Sequence, residues 1–280
     1  MINNINNLPI GIFDSGVGGL TVLRAISECL PNEDLIYLGD TARLPYGTKS
    51  PETVASYALQ ASSKLVECGV KMLVIACNTA TAAALNSLRK AFAPLPVIGV
   101  IEPGARAALE KTHNNHIAVI ATEGTIQGRA YHKAINNLNP RTRITGKACT
   151  LFVPLAEEGW LEGEIVESIA RRYLDEIFLS TKANECPDTL LLGCTHFPPL
   201  RQALANVIGN NINIVDSAAT TAKAVMEALE YKKIIRSHQN NEINTHYRFI
   251  TTDDTQRFSR IGSLFFGKKL EKKHVEHMDL

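Results

Sequence analysis

Short, almost wholly apolar runs recur along the chain with longer amphipathic stretches between them. The runs are Ile10 to Phe13, Leu35 to Leu38, Met72 to Ala76, Val97 to Ile101, Ile117 to Ala121, Thr189 to Leu192 and Ile212 to Val215. Strands this rich in Ile, Val and Leu are buried on both faces. Their alternation with helical patterns therefore predicts an α/β protein with mainly parallel sheets, covered by helices on both sides. Between Ser50 and Gly69 the positions of Val54, Ala58, Ala61 and Leu65 trace one helical stripe. Ser50 is placed to cap that helix, Pro51 to open it and Gly69 to end it. The alternation slackens after about Lys232: Ser237 to Thr245 is polar and reads as a surface excursion. It precedes a strand-like run, His246 to Ile250, and a helical tail from about Thr255.

A loose internal likeness runs through this pattern. Val74-Ile75-Ala76-Cys77-Asn78-Thr79 and Leu191-Leu192-Gly193-Cys194-Thr195-His196 each give a buried strand, a cysteine, a hydroxyl or amide residue and then a helix. Two similar doubly wound α/β units would produce it.

Composition narrows the function classes. With 280 residues, 45% of them hydrophobic and 20% charged, the chain can bury sizeable cores without metal or disulfide staples. A net charge of +1 gives no electrostatic footprint for nucleic acid, and the one basic cluster, Lys268, Lys269, Lys272 and Lys273, reads as a solvated helix face. No apolar run approaches the roughly 20 residues that span a bilayer, and Met1 to Leu8 has no signal-peptide pattern. A cytoplasmic setting is expected, with the six cysteines as thiols. No C-x-x-C pair occurs, and Cys194-x-His196 has no third ligand to make a metal site, so none is expected.

In open α/β sheets ligands bind beyond the carboxyl ends of the strands. The residues standing there are Asp14 to Gly19, Gly39-Asp40, Cys77-Asn78-Thr79, Thr122 and Cys194-Thr195-His196. Taken singly, a cysteine at a strand end is a small core residue. Two in matched places suggest a reaction that needs one acid/base group on each face of a flat intermediate, as inversion of an α-carbon does. Asn78 or Thr79 is expected to cap the helix after Cys77, and Thr195 the helix opened by Pro198. Each thiol would then lie near a helix N-terminus, which lowers a thiol pKa from about 8.5. Asp14 and His196 are placed to tune one thiol each. The Gly-rich turn Asp14 to Gly19 fits neither a Walker A loop nor G-x-G-x-x-G, and a substrate carboxylate suits it as well as a phosphate would. No lysine adjoins these strand ends to hold pyridoxal phosphate, so no cofactor is expected.

Four stretches carry a resemblance to a known family: Gly11 to Val22, Gly39 to Gly47 (which contains Pro45-Tyr46-Gly47), Ala76 to Ala82, and Leu192 to Pro198. In this order and spacing they are similar to the bacterial glutamate racemases, cofactor-independent enzymes of the aspartate/glutamate racemase superfamily that supply D-glutamate for peptidoglycan. The resemblance implies that Cys77 and Cys194 are the catalytic bases. It further implies that Asp14, Ser15, Tyr46, Gly47, Asn78, Thr79, Thr195 and His196 contact substrate or steer the thiols. Thr122 and Thr125 match pocket positions, and Glu157 matches an assisting acid, although Glu158 adjoins it. The implied fold is two α/β domains with the site in the cleft between them, residues 1–98 plus 212–280 and residues 99–211. Glutamate is the implied small-molecule partner, without nucleic acid or membrane, and a homodimer and a monomer are both open.

Three other readings remain. A racemase for aspartate or a hydantoin would share the motifs. A non-catalytic DNA gyrase-binding inhibitor goes, in this family, with an N-terminal extension, whereas about eight residues precede the first strand here. A cysteine hydrolase built on Cys194 and His196 would leave Cys77 without a task.

Overall fold

The computed structural model describes residues 5–179, 186–236 and 245–280. The chain divides into two compact units, Met1–Val100 with Ala218–Leu280, and Ile101–Ser217. The first unit runs through β1 (Ile10–Asp14), α1 (Leu20–Cys29), β2 (Leu35–Gly39), α2 (Pro51–Glu67), β3 (Met72–Ile75), α3 (Asn78–Ala91) and β4 (Val97–Gly99). The second contains α4 (Ile101–Lys111), β5 (His116–Ala121), α5 (Glu123–Gln127), α6 (Ala130–Leu138), β6 (Arg143–Ala148), α7 (Phe152–Glu157), α8 (Glu164–Phe178), β7 (Thr189–Gly193), α9 (Arg201–Ile208) and β8 (Asn213–Asp216). After α10 (Ser217–Tyr231), the first unit is completed by β9 (Tyr247–Thr251), α11 (Thr255–Phe266) and β10 (Val275–His277).

Every strand pairing among the described residues is parallel. The first sheet has the order β10-β9-β2-β1-β3-β4 and the second β6-β5-β7-β8. In the first, strand order reverses where β1 lies beside β3; in the second, where β5 lies beside β7. Beyond the carboxyl ends at such a reversal the flanking loops diverge and leave a crevice for a ligand. Asp14 and Cys77 stand there in one unit, and Thr122 and Cys194 in the other.

The helix over 51–67 forms for the reasons its sequence gives. The Ser50 hydroxyl accepts from the Thr53 N–H at 3.3 Å, Pro51 opens the first turn, and Gly69 leaves at φ +78°. Its buried stripe, Val54, Ala58, Ala61 and Leu65, packs with Phe13, Leu73, Ile75 and Leu88 into the core of the first unit. A second core gathers Ile120, Phe152, Leu174, Leu190, Leu192 and Phe197. Each Val, Leu, Ile or Phe side chain among them contributes about 1.5–3 kcal/mol by leaving water, and together these cores hold the strand ends still.

Several expectations are corrected. The run Ile212 to Val215, expected in the first domain, becomes β8 and pairs with β7, so the second unit extends to Ser217. The strand expected over Val97 to Ile101 stops at Gly99, and Ile101 already opens α4. The four lysines near the C-terminus are exposed, as a solvated face requires, but only Lys272 and Lys273 are helical, in a single 3-10 turn (Lys272–His274), while Lys268 and Lys269 lie past the end of α11. The surface excursion expected over Ser237 to Thr245 lies, up to Asn244, outside the described residues. Among the described residues no helix is long and apolar enough to cross a membrane.

Candidate active site

In the first unit the site is built on the ends of β1 and β3. Cys77 occupies the N-cap of α3, and its sulfur accepts the Ala80 N–H at 3.4 Å. The expected caps, Asn78 and Thr79, are instead the first two helical residues, so the helix aims an N–H directly at the thiol. An N–H donated to sulfur favours the thiolate. The Cys77 thiol in turn reaches the Ser15 hydroxyl at 3.4 Å. Asp14, Ser15, Asn78 and Thr79 are all buried around it. The carboxylate of Asp14 is folded back into its own turn, where Oδ2 accepts the Gly16 N–H at 2.9 Å.

Tyr46 is buried too, but its hydroxyl is committed elsewhere: it donates to Asp40 Oδ2 at 2.5 Å. Burial, then the Asp40 charge, push this phenol far above its ordinary pKa. Asp40 also accepts from Arg43 Nε at 2.6 Å and from the Thr252 hydroxyl at 2.9 Å. The stretch leading to Tyr46 and Gly47 is thereby tied to the end of β9. This network was not in the sequence reading; the available signal was a fully apolar strand ending in an aspartate, which has to find donors when buried.

In the second unit the loop after β7 carries Cys194, Thr195 and His196, all nearly inaccessible. Contrary to expectation Thr195 caps no helix, because only a short turn, Pro198–Leu200, follows and α9 begins at Arg201. What stands beside Cys194 is instead a charged histidine. His196 Nε2 lies 3.1 Å from Glu157 Oε1 at the end of α7, and the ring is hydrogen-bonded to Cys194 as well. Glu157 is the carboxylate that turns in; Glu158 is exposed. Burial works to strip the proton from His196. Hydrogen bonds to Cys194 and Glu157, and the charges of both, outweigh it and push the pKa up to about 10. With both nitrogens protonated the ring donates to sulfur and carboxylate at once.

That shift has a sign. Stability supplied by the His196 charge is complete below its ordinary 6.5 and is lost as pH rises through about 10. Unfolding free energy is accordingly expected to fall with pH across that window, and more steeply in the parent than in His196→Asn. Denaturant titrations at a series of pH values measure both slopes, and equal slopes would contradict a charged imidazole.

Thr122 and Thr125 share a hydroxyl contact of 3.1 Å at the start of α5, beyond β5. Cys149, just past β6, is fully buried, and burial pushes its thiol up to about 12. It stays protonated at neutral pH. Among the described residues no group of three or more His, Cys, Asp or Glu side chains could hold a metal ion.

Parallel sheets with a thiol at each reversal define a recognisable class. Residues 10–225 match the Asp/Glu/Hydantoin racemase family, and the chain belongs to that family. Within it, the glutamate racemase of Geobacter metallireducens is 49% identical over 261 residues, 93% of each chain. A crystal structure of glutamate racemase from Bacillus anthracis matches with a TM-score of 0.89 at 36% identity, covering 98% of each chain. That of Francisella tularensis, solved in complex with D-glutamate, matches at 0.87 and 35%, again over 98% of each.

Proposed function

We propose that this protein interconverts L- and D-glutamate by passing the α-proton between Cys77 and Cys194, without a cofactor. The observation that carries the reading is the pair of thiols at equivalent reversals of two parallel sheets, each with its own acid/base support. Near full-length similarity to glutamate racemases supplies the substrate.

Inversion requires removal of a proton from one face of the α-carbon and delivery to the other. One base would tend to return the proton to the face it left. With two thiols, one acts as thiolate base and the other as thiol acid, and the roles exchange with the enantiomer bound. Both must work near operating pH, which suits cysteine. Asp14 and Ser15 serve Cys77, while His196, held by Glu157, serves Cys194. Ser15, Asn78, Thr79, Thr122, Thr125 and Thr195 offer the hydroxyls and amides to hold the substrate's carboxylates and ammonium, together with the Tyr46-Gly47 main chain. D-Glutamate made in this way would supply peptidoglycan synthesis. The six free cysteines suit a reducing cytoplasm.

The test is incubation with L-glutamate, and separately L-aspartate, in deuterated water with no added cofactor, following optical rotation and α-proton loss. Racemisation of glutamate with α-deuterium incorporation is expected. Activity on aspartate alone would overturn the substrate, and no exchange on either would overturn the racemase reading.

A further inference from the structure

Tyr131, on α6, is only 2% exposed and takes no part in the two proton transfers. Opposite edges of its ring lie against two glycines. A Cβ at Gly193, the last residue of β7, would stand 2.8 Å from ring Cε2. One at Gly104, in the first turn of α4, would stand 3.4 Å from ring Cε1 and from the hydroxyl oxygen. Neither glycine lies in the left-handed region, so the backbone requires neither. A glycine weakens a strand, and one whose conformation any residue could adopt marks a close approach. At Gly193 the approaching group is the ring. Burial pushes the phenol above its ordinary range, so it stays protonated and offers shape, not a third acid/base group.

Cys194 follows Gly193 directly. Along β7 and just past it, Leu190, Leu192 and Cys194 face the core that holds Phe152 and Leu174. Leu191 faces α4, its Cδ1 3.6 Å from where a Gly104 Cβ would stand. Alternation puts Gly193 on the Leu191 side, so Tyr131 bears on the main chain from the side opposite the thiol. The same Cβ position at Gly193 is closed by the Ile120 carbonyl oxygen at 3.0 Å and by Ala121 Cβ at 3.1 Å, Ala121 being its register partner on β5. The ring cannot retreat, because α4 stands behind it at van der Waals distance. The strand end that delivers Cys194 is thereby held between α6 and β5.

We propose that Tyr131 is a positioning residue for racemisation: its ring, set against the bare main chain of Gly193, fixes where Cys194 stands at the sheet reversal. The inference rests on the reading that Cys194 is one of the two acid/base groups. Such a group must meet the α-carbon in near-attack geometry, and a misplacement of about 1 Å costs about a hundredfold in rate. Cys77 is carried by β3 and α3 of the other unit, so disturbing Tyr131 acts on one of the two proton transfers and spares the other.

The experiment disturbs this contact from both sides. Gly193→Ala drives a methyl into the ring, Tyr131→Leu removes the ring, and Tyr131→Phe keeps it. Thermal melting checks that each protein folds; where one of the first two does not, Gly104→Val, which crowds the ring from α4, takes its place with the same expectation. L- and D-glutamate are then incubated separately in deuterated water, and proton NMR follows both inversion and deuterium entry without inversion. Gly193→Ala and Tyr131→Leu should each lose about ten- to a hundredfold in kcat, and Tyr131→Phe should racemise like the parent. In the two slow variants the ratio of exchange to inversion should rise for one enantiomer only, the one that exchanges in Cys194→Ala. Cys77 still takes the α-proton of that enantiomer, and deuterium returns to the same face while Cys194 delivers late. With the other enantiomer Cys194 must act first, and exchange should keep pace with inversion. A general loosening of the fold would slow both without this asymmetry. Equal ratios for the two enantiomers, parent kinetics in both slow variants, or a loss in Tyr131→Phe as large as in Tyr131→Leu would each overturn the proposal. Normal racemisation by Cys194→Ala would instead overturn the parent reading, whereas the Tyr131 series can fail while that reading stands.

Discussion

Cys77→Ala and Cys194→Ala are each expected to lose racemisation of glutamate by at least about 10²–10⁴-fold in kcat/KM, the contribution typical of a positioned acid/base group. The loss should come without unfolding. Both sulfurs lie at the rim of a packed core, and removing one small atom leaves a cavity costing only about 1 kcal/mol. The two variants should also differ from each other. A single remaining thiol can remove a proton from one enantiomer and return one to the same face, so solvent deuterium should enter that enantiomer without inversion. The other variant should show the same exchange with the opposite enantiomer. Proton NMR of L- and D-glutamate in deuterated water, one enantiomer at a time, reads this directly. Normal racemisation by either variant would remove its cysteine from the mechanism.

The largest structural effect is expected from Gly39→Ala. A Cβ at Gly39 would sit 2.3 Å from the Gly16 carbonyl oxygen and 3.0 Å from Phe258 Cε2. Neither side can yield readily, since Gly39 is in register with Asp14 on one side and Thr251 on the other, and Gly16 belongs to the turn that holds Asp14. The substitution should destabilise by about 3 kcal/mol or more, at the upper end of overpacking effects, and lower Tm by roughly 10 °C. Protein that does fold should be impaired on glutamate, because the displaced main chain is that of the Asp14 turn. Gly69→Ala is the contrast: φ there is +78° but nothing lies within 4 Å, so only backbone strain opposes it, about 1 kcal/mol. A Gly39→Ala protein melting with the parent would show that this close approach is not real in solution.

Both predictions depend on features of different legibility. The two cysteines could be read directly, because a reactive residue at the end of an apolar run is a local pattern and its recurrence can be seen without coordinates. Gly39 could be read only as the last residue of a strand; nothing in its neighbours announces that the Gly16 carbonyl passes over it. Tyr37 escapes the sequence for a related reason, since in Leu35-Ile36-Tyr37-Leu38-Gly39 an aromatic residue counts as one more apolar position until its hydroxyl is seen to donate to the Gly16 carbonyl.

Two elements escaped the periodicity. β6, Arg143–Ala148, is an edge strand whose residues are half-buried or exposed, so it lacks the continuous apolar run that marked its neighbours. β10 is only three residues long and pairs on one side alone. The boundary of the second unit was placed too early because strand patterns carry no mark of the sheet they join. β8 reads like any other strand, and its pairing with β7 is a long-range choice.

The chain's own pattern determined the α/β class, the parallel strands, the caps of α2 and the two cysteines at matched strand ends, all of which rest on spacing within a few residues. Tertiary structure decided what each polar group faces. It turned Glu157 and not Glu158 toward His196, kept that histidine charged beside Cys194, committed the Tyr46 hydroxyl to Asp40, and gave Cys77 a helix N–H while denying one to Cys194. Hydrogen bonds and charge interactions act over a few ångströms in space whatever the separation along the chain, so only the folded arrangement selects among the partners a sequence allows.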